Sequence, residues 1–206
     1  MDGSVYDEAY FLRGKQTGKS LYENYRWMPD LTIPMCQAIV SHCGIRRGAS
    51  ILDFGCARGY TVRALRSMEY DAYGIDLSKW ATDNCDETVA DWIYCDSLPM
   101  AGDVYDWVIA KDVLEHVKDL DNTIDCLMDV ASIGVFVVVP LAHRKKYDVL
   151  EYEKDVTHIH RQNLQWWAGK FHQVGWSVEA RYRVVGVKDN YAQHTTGNGF
   201  VVARRI

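Results

Sequence analysis

The chain has 206 residues, of which 48% are hydrophobic and 25% are charged, and its formal net charge is −5. This size suits one domain with a sizeable core, and the negative balance argues against a nucleic acid held mainly through its phosphates. The acidic start MDGSVYDEAY lacks the apolar core of a signal peptide, and no apolar run reaches the ~20 residues of a membrane span. Six cysteines without a C-x-x-C pair favour a reducing compartment. We therefore predict a cytoplasmic protein with no membrane partner.

Residues 1–45 are predicted to form a helical cover. Residues 20–43 have helical periodicity that is interrupted near Pro29 and Pro34. Residues 6–27 are rich in aromatic side chains, which packing against a core explains. A lid over a binding site is the alternative for the same stretch.

Residues 46–206 alternate between short apolar runs and helical patterns, which predicts strands joined by helices. The first five predicted strands are 50–54, 72–75, 91–94, 105–110 and 133–139. Helical patterns cover 61–67, begin at Ser78 as an N-cap, and follow the fourth strand up to Val130. The continuous valine and isoleucine runs indicate strands buried on both faces, hence a parallel sheet with helices on each side.

The pattern changes after Pro140. A polar loop is predicted up to about residue 160, followed by a helix over 162–173. Strands over 176–185 and 199–203 are joined by a loop containing glycine and asparagine, which predicts an antiparallel hairpin. The whole order predicts an α/β fold with a doubly wound, mostly parallel sheet, helices on both faces and a C-terminal hairpin.

Small and acidic residues follow the first predicted strand, at the edge of the sheet where open parallel sheets bind ligands. The loop Gly55-x-Ala57-x-Gly59 allows close approach of the backbone to a ligand. Asp53 lies two residues before it, and a carboxylate there suits a ligand with an ammonium group better than a pyrophosphate. Ala57 stands where a dinucleotide fingerprint has glycine, and its methyl group is compatible with the loop if its φ is negative.

The next two strands also end in polar residues. Asp76 follows the glycine loop by about 20 residues, a spacing at which a carboxylate accepts both hydroxyls of a ribose. Asp96 and Ser97 follow the third strand, where Asp96 could accept from the exocyclic amine of adenine. Each feature alone has a structural explanation such as helix capping. Together they predict a nucleoside site.

The runs ILDFGCARGY, YGIDLS, YCDSLP, YDWVIAKDVLEHV and VFVVVP resemble those of class I S-adenosylmethionine-dependent methyltransferases. They cover about residues 48–140, and the tail resembles the final helix and hairpin of that family. The resemblance implies a seven-stranded sheet with the last strand antiparallel, and S-adenosylmethionine as the cofactor. It also implies these cofactor contacts: Asp53, Gly55, Cys56, Ala57 and Gly59 with the methionine part, Asp76 with the ribose, Leu77, Asp96 and Ser97 with the adenine, the backbone near Lys111 and Asp112 at the pocket wall, and Tyr22 or Tyr25 near the methionine carboxylate.

The acceptor side is predicted to contain His116 and His158. Methyl transfer needs alignment of the acceptor with the sulfonium, and a hydroxyl acceptor benefits from a base within hydrogen-bond reach. His116 follows the fourth strand, and His158 lies in the loop before the last helix. A role for either imidazole in packing or in substrate positioning is the alternative.

A metal ion is not predicted, although one arrangement leaves the question open. Asp112, Glu115 and His116 are spaced i, i+3 and i+4, so on a helix they would share one face. With His158 or His160 they could bind magnesium or a similar divalent ion.

The predicted function is methyl transfer from S-adenosylmethionine to a small-molecule acceptor, with an oxygen of a sugar or another metabolite as the acceptor atom. Three alternatives stay open. They are a metal-assisted enzyme resembling RNA 2′-O-methyltransferases, an NAD-binding oxidoreductase, and a non-catalytic module that binds S-adenosylmethionine.

Overall fold

A computed structural model describes residues 3–206, which are built around one large sheet. The strands are β1 Ser50–Phe54, β2 Asp71–Asp76, β3 Ile93–Cys95, β4 Tyr105–Lys111, β5 Ala131–Pro140, β6 Ala142–His143, β7 Lys146–Tyr147, β8 Trp176–Arg181 and β9 Asn198–Arg205. The helices are α1 Glu8–Thr17, α2 Pro29–Cys43, α3 Tyr60–Ser67, α4 Lys79–Asp83, α5 Leu120–Val130 and α6 Leu164–Gly169. Short 3-10 helices occur at Gly3–Val5, Glu87–Trp92, Leu114–His116, Leu150–Lys154 and Asp189–Tyr191.

Seven strands form the large sheet in the order β3-β2-β1-β4-β5-β9-β8. The first five pair in parallel, whereas β9 runs antiparallel to both β5 and β8. The prediction of a doubly wound, mostly parallel, seven-stranded sheet with a C-terminal hairpin is confirmed. The order turns back at β1 and β4, so the carboxyl ends of these two strands flank the crevice in which such sheets bind ligands.

Each face of the sheet carries its own core. Ile51 of β1 packs with α2 and α3, and the next residue, Leu52, packs with α5 and α6 on the opposite face. The same alternation holds along β5, where Phe136 and Val137 lie in different cores. Burial on both faces explains why these strands are continuous apolar runs rather than alternating ones.

The N-terminal helices differ from the predicted ones. Residues 18–28 are irregular, α1 precedes them, and α2 begins with Pro29 at its first turn, where a missing N–H is tolerated. The helix α2 continues through Pro34, because its buried face packs on the sheet and tertiary packing outweighs one lost hydrogen bond. The division between a cover of 1–45 and a domain of 46–206 stays a prediction.

Several other boundaries also differ from the predictions. Residues 87–92 form a 3-10 helix, so β3 begins two residues later than predicted. The last helix and β8 are shorter than predicted, at Leu164–Gly169 and Trp176–Arg181. The loop after Pro140 contains the small hairpin β6-β7, which has a core of its own around Tyr147 and Tyr152. Two-residue strands are too short to leave a periodic pattern. Among the described residues, no helix is long and apolar enough to cross a membrane.

Candidate functional site

A cavity of about 280 Å³ opens at the carboxyl ends of β1, β2 and β4. Its floor is formed by the loops that follow these strands, and its roof is formed by the N-terminal segment. Of the predicted site residues, those that line it are Tyr22, Gly55, Ala57, Asp76, Leu77, Asp96, Ser97, Asp112 and His116. The predicted strand-end residues therefore converge on one space, as the parallel topology requires.

The loop after β1 is shaped by left-handed backbone. Gly55 has φ +76°, and a Cβ there would lie 2.5 Å from the Cγ2 of Val113, so both conformation and space exclude a side chain. Ala57 has φ +49°, which overturns the expectation of a negative φ at this position. Its strained backbone is held by a hydrogen bond of 2.7 Å from its N–H to the carboxylate of Asp76.

The carboxylate of Asp76 links the loops after β1 and β2. Besides Ala57, the N–H of Ser78 donates to it at 2.7 Å. Burial raises the pKa of Asp76, and the two backbone donors partly offset this effect. The side chain keeps an exposed fraction that faces the cavity, because Asp76 is among the lining residues. A second group that donates hydrogen bonds, such as a ribose diol, can therefore reach the same carboxylate.

The loops after β2 and β3 form one wall of the cavity. Leu77 offers an apolar surface, and Ser97 and Leu98 lie on the loop after β3. The carboxylate of Asp96 accepts from the N–H groups of Ser97, at 2.6 Å, and of Leu98, at 3.4 Å. Asp96 is exposed, so its carboxylate remains accessible to a ligand. This combination suits a flat, partly polar ring.

Five predicted site residues do not line the cavity. Cys56 is buried in the core below the loop, and Gly59 caps α3 with φ +76°. The ammonium group of Lys111 lies 2.6 Å from Asp112. His158 lies behind His116, and Asp53 is buried. Asp53, Cys56 and Gly59 therefore shape the loop from below.

Asp53 is the most unusual of these groups. Its burial raises its pKa to about 7, the positive charge of Lys111 lowers the pKa, and the negative charge of Asp76 raises it further. The residue is only 4% exposed. A carboxyl group beneath the ligand loop thus changes its charge near neutral pH.

The roof of the cavity is aromatic. Tyr6, Tyr10, Phe11 and Tyr22 line it, and consecutive rings lie 5.0–5.9 Å apart between centroids. Tyr6 also contacts the ring of His116 at 6.0 Å. The N-terminal segment therefore covers the site as well as packing on the core. Tyr25 packs on Phe11 outside the cavity lining.

His116 is held from behind by a hydrogen-bond chain. Its Nδ1 lies 2.8 Å from the Oγ1 of Thr157, and that hydroxyl donates to the carboxylate of Asp155. The hydroxyl of Tyr10, in the roof, donates to the other oxygen of Asp155 at 3.0 Å. Burial, together with the nearby charge of His158, lowers the pKa of His116 to about 4.

Glu115 lies between the two predicted histidines. Its Oε1 is 3.9 Å from the Nε2 of His116 and 3.9 Å from the Nε2 of His158. Its backbone carbonyl accepts from the N–H groups of Ile159 and His160, which fixes the loop containing His158. Burial and the charge of Asp112 raise the pKa of Glu115, and burial lowers that of His158.

Two members of the hypothetical magnesium site lie elsewhere. Asp112 has φ +56° and is not on a helix, so the i, i+3, i+4 face does not form. Burial opposes ionisation of Asp112, but Lys111 and Lys188, the latter at 2.7 Å, outweigh this and lower its pKa. His160 Nε2 bonds the carbonyl oxygen of Val117. Glu115, His116 and His158 do come together.

Some lining residues were not predicted as ligand contacts. The loop before α5 and the start of this helix contribute to the wall, with Lys118, Asp119, Asn122 and Thr123 among the lining side chains. Strand-end positions mark the other walls, whereas these residues lie on a loop and a helix and leave no comparable pattern. The aromatic composition of residues 6–27 was the available indication of the roof.

Comparisons with known proteins agree with this architecture. A family model described as a methyltransferase domain matches residues 32–181, which is more than half of the chain. The magnesium protoporphyrin IX methyltransferase (ChlM) from Synechocystis PCC 6803, solved with bound SAM, superposes with a TM-score of 0.65 at 16% identity, over 100% of this chain and 98% of that chain.

A second similar structure is the plantazolicin methyltransferase BpumL, solved with a monoazolic desmethylPZN analog and SAH. Its TM-score is 0.64 at 13% identity, over 86% of this chain and 84% of that chain. At such identities the likeness concerns the fold alone. A comparison with curated proteins finds no significant match.

Proposed function

The chain belongs to the methyltransferase-domain family, and from this premise we propose that it transfers a methyl group from S-adenosylmethionine to an oxygen atom of a small molecule. The observation that carries the proposal is the convergence of Gly55, Asp76 and Asp96 from three successive strand ends on one cavity. Each supplies what one part of the cofactor needs. The glycine allows close approach of backbone, Asp76 accepts from hydroxyls, and Asp96 accepts from an amine.

The charge of the cavity supports a cationic cofactor. Its lining includes one lysine, Lys118, and four aspartates, Asp76, Asp96, Asp112 and Asp119, of which Asp112 is paired with Lys111 and Lys188. The roof adds the faces of Tyr6, Tyr10, Phe11 and Tyr22, and aromatic faces attract cations. A sulfonium ion is favoured in such surroundings. The pyrophosphate of NAD would bring two negative charges among these carboxylates, so the oxidoreductase alternative is disfavoured.

The acceptor is proposed to bind on the His116 side of the cavity. The volume of about 280 Å³ lies just below the range of about 300–1,000 Å³ for small-molecule sites, and the roof covers it. This favours a compact acceptor over an RNA strand. An oxygen acceptor loses a proton during transfer, and His116 and His158 are the polar groups proposed to assist at this end of the site.

Calorimetry tests the cofactor assignment directly. We expect the protein to bind S-adenosylhomocysteine and S-adenosylmethionine, and to show no heat with NADH. Binding of NADH without binding of S-adenosylhomocysteine would show that the assignment is wrong.

A methyl-transfer screen tests the acceptor class. Sugars, nucleotide-sugars, small phenols and RNA are incubated with S-adenosylmethionine, and release of S-adenosylhomocysteine is measured. We expect release with a hydroxyl compound and none with RNA. Binding of the cofactor with no release on any of these acceptors would favour the non-catalytic module.

A further inference from the structure

We propose that Glu115, His116 and His158 bind a first-row divalent transition-metal ion at the wall of the cavity. The three side chains offer one carboxylate oxygen and two imidazole nitrogens, which lie within 4.8 Å of one another. Two donors bound to one ion at about 2.1 Å are about 3–4 Å apart, so small side-chain rotations suffice to close the site.

The distances are wrong for hydrogen bonds and suited to an ion between the groups. Glu115 Oε1 lies 3.9 Å from each histidine Nε2, whereas a hydrogen bond needs about 2.7–3.2 Å. The other carboxylate oxygen, Oε2, is buried and has no hydrogen-bond partner among residues 3–206. Glu115 is 1% exposed, and buried polar atoms without partners are rare.

In each imidazole, the hydrogen bond made by Nδ1 fixes the tautomer in which Nε2 is unprotonated and free to bind a metal. His158 Nδ1 lies 3.0 Å from the backbone oxygen of Tyr152, which can only accept, so this nitrogen carries the proton. The Thr157 hydroxyl gives its proton to Asp155, so His116 Nδ1 must donate to Thr157. In both rings the Nε2 lone pair therefore faces Glu115. Histidines that bind metals are oriented by hydrogen bonds of this kind.

The donor set selects the class of ion. Two imidazoles with one carboxylate suit zinc, manganese, iron or cobalt, whereas magnesium prefers oxygen donors. The structure also removes Asp112 and His160 from the ligand set, because each is engaged elsewhere. The proposed site therefore differs in its ligands and in its ion from the magnesium site that was considered from the sequence.

A role for this ion in catalysis rests on the proposed function, methyl transfer to a hydroxyl. His116 lines the cavity, so an ion bound to it would offer a free coordination position to an acceptor hydroxyl. The hydroxyl would lose its proton to water and its oxygen would bond the methyl carbon. The carbon–sulfur bond would break with its electron pair on sulfur, which turns the sulfonium into a neutral thioether.

Cobalt substitution tests the site without an acceptor. The 206-residue chain is dialysed against chelator and then against Co²⁺, and cobalt is measured by elemental analysis and visible d–d absorption. We expect one ion per chain. Glu115→Gln and His158→Gln should each weaken cobalt binding at least ~10-fold, and Thr157→Val, which keeps all three ligands, should weaken it about 10- to 100-fold.

His143→Gln is the matched control, because His143 is exposed, pairs with Asp148 at 2.9 Å and lies outside the cluster. Circular dichroism checks that every variant is folded. Folded wild type without cobalt, cobalt binding that survives both ligand substitutions, or thiolate-to-cobalt bands from a cysteine would overturn the proposal. Calorimetry with S-adenosylhomocysteine separates the two proposals, because cofactor binding without cobalt binding refutes the metal site alone.

Discussion

The stability of the protein should depend on pH through Asp53. Its carboxyl is 4% exposed, and its pKa is about 7 in the folded chain against a usual 3.8. Between these values the folded state holds a proton that the unfolded state has lost, so stability falls as pH rises. The difference of about three pH units corresponds to about 4 kcal/mol once the pH is above 7.

The substitution Asp53→Asn removes this titration and keeps the shape of the side chain. We expect the variant to gain stability relative to wild type as the pH rises. The gap between the two free energies of unfolding should widen by about 3 kcal/mol between pH 5 and pH 8. Urea unfolding at four pH values, followed by the fluorescence of the seven tryptophans, measures the gap. Titrating groups that lie far from Asp53 cancel in the comparison.

The exposed Asp91 provides the control, because Asp91→Asn makes the same chemical change outside the core. Its gap from wild type should stay flat over the same range. A flat gap for Asp53→Asn as well would refute the reasoning, since it would mean that burial does not hold the proton on this carboxyl.

Further changes test the loops around the cavity. Asp76→Asn should weaken S-adenosylhomocysteine binding about 10- to 100-fold in calorimetry, because hydrogen bonds to a carboxylate are stronger than those to an amide. Ala57→Gly should stabilise the protein by up to about 1 kcal/mol, since it relieves a left-handed alanine. Gly55→Ala should destabilise it by about 2 kcal/mol or more, because the new methyl group meets Val113. Ser78→Ala should cost about 1 kcal/mol through loss of the N-cap of α4.

A specific result would contradict each of these four predictions. An unchanged affinity of Asp76→Asn for S-adenosylhomocysteine would show that this carboxylate does not contact the ligand. A loss of stability in Ala57→Gly would mean that the left-handed backbone is not strained. Thermal unfolding that is unaltered by Gly55→Ala or by Ser78→Ala would contradict the contacts described for these residues.

The sheet could be predicted because its strands are apolar runs buried on both faces, and because parallel strands place their carboxyl ends together. Asp76 and Asp96 were found through that rule. Positions set by single backbone conformations could not be found in this way, since nothing in the sequence shows that Ala57 has a positive φ.

The acceptor side was predicted less completely. His116 and Glu115 are neighbours in sequence, but the approach of His158 depends on hydrogen bonds from the loop at 159–160 to the carbonyl of Glu115. The ion pair of Asp112 with Lys188 joins residues far apart in the chain. Contacts of this range follow from the packing of the whole domain and not from local pattern.

The roof is fastened on two sides of the cavity. The hydroxyl of Ser78 donates to the backbone oxygen of Tyr6 at 2.5 Å, and the hydroxyl of Tyr10 donates to Asp155. Opening the roof for exchange of spent for fresh ligand would break these bonds, and we expect release of the product through this movement, rather than the transfer step, to limit the rate of turnover. In rapid-mixing experiments, the first turnover would then be faster than the steady-state turnovers that follow it.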